Sequence, residues 1–247
     1  MLRKVGEHDF ISHPNGVLEL ASKGHTVLTI SDLHAPFQHR NALRFLRWLA
    51  EEYRPTVVVC LGDEFDMGFW SFHDKDSHMP GGKDEYHSAL EFMGQLYALF
   101  PSVLCCTSNH TSRPYRVGFK YGLISDFMRS YHEITQAPPT WCYSDRFIID
   151  NVVYEHGENV SGRNAAWQAA SQNRMSTVIG HIHGHGSVQY SASPFNQMFA
   201  MNAGCLIDTE ALAFRYGAKY RNKATIGTGV VMKGDDAHFI KMPKEWL

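Results

Sequence analysis

Long apolar runs are missing from this chain of 247 residues, and so are paired cysteines, an excess of charge of one sign and any proline- or serine-rich tract. No stretch approaches the length needed to span a bilayer, and the opening MLRKVGEHDF carries no hydrophobic segment of the signal-peptide kind. A cytoplasmic location with no membrane partner is the expectation. The formal charge of -2 supplies no global attraction to nucleic acid, whose binders ordinarily show a basic face. The five cysteines, Cys60, Cys105, Cys106, Cys142 and Cys205, are an odd set without CxxC spacing, mostly inside apolar runs. They read as buried reduced thiols packing as small hydrophobes, not as disulfides or zinc ligands. With no linker or internal repeat to divide it, the chain is read as one domain over residues 1–247.

What the chain has instead is a surplus of histidine, fifteen in all, and a recurring pattern in which a short β-branched run ends in a polar cluster. HTVLTI is followed by SDLH, TVVVCL by GDEFD, SVLCC by TSNH, NVVYE by HGE and STVI by GHIH. Runs of this length bounded by turn chemistry predict buried strands, and polar groups collected repeatedly at strand ends predict one shared site.

Helical spacing of apolar residues marks NALRFLRWLAEEY and DEYHSALEFMGQLYALF, with NAAWQAASQ as a shorter candidate. Strands and helices alternating in the first half predict an α/β arrangement with parallel pairing. The second half reads as more antiparallel, with turns at Asp150-Asn151 and at Gly234-Asp235-Asp236. Residues 1–24 read as an N-terminal hairpin or arm around Asn15-Gly16, and residues 67–84 as an irregular loop beside, or over, the site.

Asp32 and His34 are two residues apart, so an extended segment presents both on one side; His181 and His183 repeat that spacing. Asp63 and His156 follow two further strands. Any one of these, taken alone, is an ordinary cap or polar loop residue. Together they are carboxylate and imidazole donors without thiolate, which suits Mn²⁺, Fe or Zn²⁺, and they are too many for one tetrahedral ion. Two ions sharing a carboxylate would use them all, a standard device for phosphoester hydrolysis.

In this order the motifs Asp32-Leu33-His34, Gly62-Asp63-Glu64-Phe65-Asp66, Ser108-Asn109-His110-Thr111, His156 and Gly180-His181-Ile182-His183 resemble the calcineurin-like metallophosphoesterase superfamily. The resemblance spans residues 32 to 183. It implies a four-layer α/β/β/α sandwich with two mixed sheets and a dinuclear metal site at strand ends, in one metallophosphoesterase domain. It implies that Asp32, His34, Asp63 and His183 hold one divalent ion and that Asp63, Asn109, His156 and His181 hold the other. The ions are expected to be Mn²⁺, with Fe, Zn²⁺ or Ni²⁺ as alternatives, and to raise a bridging hydroxide that attacks phosphorus. His110 is then the active-site acid, oriented by the Asp66 carboxylate. Ser108 and Thr111 depart from the family pattern, which has Gly and an acidic residue there.

Arg113 is the candidate grip for a substrate phosphate, Arg116 a weaker one. The basic-aromatic stretch 214–225 and the aromatics Phe69, Trp70 and Phe72 suit contact with nucleic acid or a nucleotide, packing and solvation being the plainer reading of each. His185, His39, His73, His78 and His87, and the neighbouring Glu64 and Glu158, read as surface or structural groups. The sequence therefore predicts a metal-dependent phosphodiesterase acting on nucleic acid or nucleotides. The alternatives are a phosphomonoesterase or protein Ser/Thr phosphatase, against which GDEFDMG lacks an Arg after its second Asp, and a non-catalytic binding scaffold.

Overall fold

Fourteen strands sort into two mixed sheets in the computed structural model, which describes residues 2–5, 8–71, 79–211, 213 and 223–247. β1 (Leu2–Val5), β2 (His8–His13), β3 (Val17–Leu20) and β4 (Thr26–Ile30) open the chain. α1 (Ala42–Tyr53), β5 (Val57–Cys60), α2 (Gly82–Leu99) and β6 (Val103–Cys106) alternate after them. α3 (Arg113–Lys120) and the short α4 (Tyr131–Thr135) lead to β7 (Trp141–Ser144), β8 (Arg146–Ile149) and β9 (Val152–Glu155). Then come α5 (Ala165–Asn173), β10 (Ser176–Ile179), β11 (Gly186–Ala192), β12 (Gln197–Ala203), β13 (Gly227–Met232) and β14 (Asp236–Lys241).

The larger sheet has the order β1-β2-β3-β8-β9-β10-β12-β11 and the smaller β14-β13-β4-β5-β6-β7. Val27, Val57 and Val59 from the smaller sheet meet Phe147, Ile149 and Tyr154 from the larger in a core between the two. The opposite face of the smaller sheet, with Leu28 and Ile30, is covered by Phe45, Leu46 and Met93 of α1 and α2. Ala165, Ala169 and Ala170 of α5 lie on Ile179 and Ala200 of the larger sheet. The layers are thus helix, sheet, sheet, helix, as expected. VVVC of β5 is buried at every position because both of its faces are covered, which is why it reads as a continuous apolar run.

All five cysteines are free and buried. Asp150 and Asn151 take φ of 52° and 64°, the left-handed pair that a two-residue hairpin between β8 and β9 requires. Two expectations change. The β13–β14 turn starts earlier than the Gly234-Asp235-Asp236 reading: Lys233 and Gly234 supply the left-handed residues, and Asp236 already pairs with Met232. The second half is also less antiparallel than its turns suggested, since β10 runs parallel to both β9 and β12. The hairpin of β2 and β3 turns at Asn15-Gly16, and β3 joins the larger sheet parallel to β8. No helix among the described residues is long and apolar enough to cross a membrane.

β4, β5 and β6 run parallel in one sheet, and β9 and β10 in the other, and each is followed by one of the polar clusters. Carboxyl ends of parallel strands are where open α/β sheets place their ligand sites.

Candidate metal centre

The loops after these five strands bring Asp32, His34, Asp63, Asn109, His156, His181 and His183 together. Asp32, His34, Asp63 and His156 are buried, while Asn109, His181 and His183 are half-buried at the mouth. Asp32, His34, Asp63 and His181 all take φ between 48° and 63°, a region that Asp and His tolerate better than bulkier residues. Such backbone costs free energy and persists where the surroundings over-determine it. Here main-chain bonds do so: His34 N donates to Asp63 O at 2.8 Å, and His181 N donates to both Asp32 carboxylate oxygens at 3.1 and 3.0 Å. Gly180 is required by close approach, since a Cβ there would lie 2.5 Å from Asp32 Oδ2 and 2.8 Å from Ser31 Oγ.

Two groups of donor atoms share Asp63. In the first, His183 Nε2 lies 3.1 Å from Asp32 Oδ1 and 3.3 Å from His34 Nε2, and His34 Nε2 lies 3.4 Å from Asp63 Oδ2. In the second, His156 Nε2 lies 3.4 Å from the same Asp63 Oδ2, 2.8 Å from Asn109 Oδ1 and 3.1 Å from His181 Nδ1. The far nitrogens of the two buried imidazoles are already committed. His34 Nδ1 donates to Asp66 Oδ1 at 2.8 Å and His156 Nδ1 to the Leu61 carbonyl at 2.9 Å. In the neutral rings both Nε2 atoms are therefore lone pairs aimed at other acceptors. Acceptors converging on acceptors require positive charge between them, and the oxygen-nitrogen donor set fits divalent cations.

Protons feel the same demand. Burial opposes charge on His156, but Asp63 and Asp32 outweigh it and push the ring up to about 10. Burial likewise works to raise Asp63, yet His110, His156 and His34 hold its carboxyl well below the usual range.

His110 is buried beside the first group, its Nε2 3.7 Å from Asp63 Oδ2 and its ring centroid 4.5 Å from that of His34. Burial, with His34 nearby, takes it down to about 4 against the pull of Asp63 and Asp66. The group expected to orient it is not the one that does so. His110 Nδ1 donates to the Asp66 main-chain carbonyl at 2.6 Å, while the Asp66 carboxylate, 3.6 Å from that nitrogen, serves His34. The same carbonyl accepts from Arg113 Nη1 at 2.6 Å, so part of that guanidinium is engaged by the protein itself. Arg116, exposed, reaches the Asn109 carbonyl at 3.3 Å.

Ser108 and Thr111, the two departures from the family pattern, interlock. Ser108 Oγ accepts from Asp63 N and from Thr111 N, each at 3.2 Å, and Thr111 Oγ1 accepts from Ser108 N at 3.1 Å. The pair caps the turn that carries Asn109 and His110, a role for which only the S-x-x-T spacing was a signal. Glu64, read as structural, is fully buried, with neither carboxylate oxygen partnered among the described residues.

Of the remaining candidates, His39 and His185 are half-buried while His87 and Glu158 are exposed. Phe69 and Trp70 pack partly against the helix-side core. His73, His78 and Phe72, with part of the 67–84 loop, lie outside the described residues, as does most of the 214–225 stretch.

A family model for calcineurin-like phosphoesterases matches residues 25–220. No curated protein matches the chain. Among solved structures, Vps29 from Cryptosporidium parvum is 13% identical, with 85% of this chain and 87% of that one covered and a TM-score of 0.41. A single mutant of Vps29 from Entamoeba histolytica is also 13% identical, with 88% and 99% covered and a TM-score of 0.40. A protein assigned as a diadenosine tetraphosphatase is 13% identical, with 93% and 99% covered and a TM-score of 0.42.

Proposed function

The chain belongs to the calcineurin-like phosphoesterase family, and from that premise we propose that it is a two-metal phosphodiesterase acting on nucleic acid or nucleotides. One observation carries the reading: Asp63 Oδ2 lies 3.4 Å from Nε2 of His34 on one side and 3.4 Å from Nε2 of His156 on the other. A single carboxylate is thereby shared between two complete donor groups. Asp32, His34, Asp63 and His183 would hold one divalent ion, and Asp63, Asn109, His156 and His181 the other, Mn²⁺ being our first choice. Bound there, the ions supply an acidified water and positive charge opposite the phosphoryl oxygens.

The chain's own groups do the rest. Asp66 fixes the tautomer of His34 so that its lone pair faces the site, and the Leu61 carbonyl does the same for His156. The Asp66 carbonyl holds His110 by Nδ1, leaving Nε2 as the atom that exchanges a proton with the ester oxygen. Burial keeps the ring largely neutral in the metal-free protein. Nε2 would then serve the departing ester oxygen by hydrogen bonding or by exchanging a proton with it. Arg113 and Arg116 lean on carbonyls of the site and bring two cations to its rim. An Asn among the donors, in place of a further carboxylate, keeps the loaded site positive toward an anionic ester.

The test is hydrolysis of bis(p-nitrophenyl) phosphate against p-nitrophenyl phosphate with added Mn²⁺. The diester should be turned over in preference; activity confined to the monoester would make the protein a phosphomonoesterase.

A further inference from the structure

Two segments leave the metal centre side by side. One runs from Asp66 through Met67 into a 3-10 turn at Gly68–Trp70, the other from His110 into α3, and turn and helix pack together. Arg113 ties them at the site end through its 2.6 Å bond to the Asp66 carbonyl. Just beyond that tie, Trp70, Tyr115, Tyr121, Met128 and Ile134 line an open apolar groove of about 300 Å³, with Arg129 also on its wall.

Its floor is kept low by sequence. Gly118 is buried in the last turn of α3, and glycine within a helix costs up to about 1 kcal/mol relative to alanine. A Cβ there would run into the Met128 methyl group, whose sulfur would lie 3.2 Å away. The upper wall is left uncovered, since Tyr121 is 76% exposed. Contiguous apolar surface left open beside a reaction centre marks a binding site.

We propose that this groove seats the aromatic base of a nucleoside esterified to the phosphate held at the metal centre. The inference rests on the phosphodiesterase reading above. A base is favoured over an alkyl chain because three aromatic residues, Trp70, Tyr115 and Tyr121, line the groove together with Arg129. The apolar walls suit the faces of a base, and the open mouth leaves its polar edges in water. Size fits as well: the volume is at the low end for ligand pockets and takes one ring system, not an oligonucleotide. Arg113, bonded to the Asp66 carbonyl, is followed directly by Pro114 and Tyr115 of the groove, so the chain leads from one site into the other.

Two esters with the same leaving group separate the outcomes. The thymidine 5′-ester and the methyl ester of p-nitrophenyl phosphate differ only in the second arm. The ratio of their kcat/KM values should be about tenfold or more in favour of thymidine, the effect of one stacking contact, and carried mainly by KM. Tyr121→Ser, at an exposed position, and Gly118→Val, which fills the floor, should both bring that ratio close to one. A ratio near one in the unaltered protein, or unchanged in both variants, would overturn the proposal. Saturation-transfer NMR of adenosine, which has no phosphate, against metal-free protein gives a readout independent of catalysis. Base protons should receive the strongest transfer, and Gly118→Val should abolish it. If neither ester is hydrolysed, the phosphodiesterase reading fails while adenosine still decides the groove. No transfer to adenosine overturns it and leaves this face, continued by exposed Leu123 and Phe127, to a macromolecular partner.

Discussion

The Asp66 carboxylate accepts a hydrogen bond from His34 Nδ1 at 2.8 Å, while the main-chain carbonyl of the same residue accepts one from His110 Nδ1 at 2.6 Å. One residue thus sets both the metal-facing lone pair of one histidine and the substrate-facing atom of the other, by different atoms.

Asp66→Asn should weaken binding of one metal ion by about 10- to 100-fold, the usual cost of losing a carboxylate behind a ligating histidine. Calorimetric titration with Mn²⁺ reads this directly. His110 keeps its carbonyl partner in that variant, so turnover at saturating metal should recover in large part. Turnover that stays lost at saturating Mn²⁺ would return the carboxylate to His110.

His110→Ala should lower kcat by about 10² to 10⁴-fold while two metal ions per chain still bind. The loss should be larger for an ester with a poor, alkoxide leaving group than for one releasing p-nitrophenolate, which needs little protonation. An equal loss for both would remove His110 from the leaving-group side.

Ser108→Ala strips the buried Asp63 and Thr111 amides of their acceptor. Unpaired buried donors cost about 1–3 kcal/mol each, so thermal unfolding should show a clear fall in stability. Thr111→Ala removes one such acceptor and should cost less in stability. It should also reduce turnover far less than Asp66→Asn does below metal saturation.

Glu64 gives the metal-free protein a pH dependence. Burial, with Asp63 adding to it, raises its carboxyl to about 7 from an ordinary 4.5. The folded state then binds the proton more tightly than the unfolded state, so stability falls as pH rises from about 4.5 to 7, by roughly 3 kcal/mol in total. Glu64→Gln keeps the neutral shape and should match the unaltered protein at pH 4.5 but exceed it at pH 8. Denaturant melts at the two pH values check the sign; parallel behaviour of the two proteins would contradict it.

The strands were legible where a short apolar run met a polar cluster, as in TVVVC before GDEFD, because covered faces demand continuous hydrophobicity and strand ends demand turns. α1, α2 and α5 were legible from spacing. α3 was not: RPYRVGFK mixes Pro114, Gly118 and three basic residues, and its apolar side faces the groove as much as the core. β11 and β12 were hidden too: β11 is an edge strand whose run GSVQYSA does alternate, but with Ser and Ala among its members and no buried position the signal is weak. In the site, the residue types and their order were readable. The Asp66–His110 contact was not, because it is made by a carbonyl that every residue carries.

Whether two ions share Asp63 in a phosphodiesterase is decided by adding Mn²⁺ stepwise to metal-free protein while following bis(p-nitrophenyl) phosphate hydrolysis. Activity should track the second equivalent and saturate at two ions per chain. Full activity at one equivalent, or none at saturation, would contradict it.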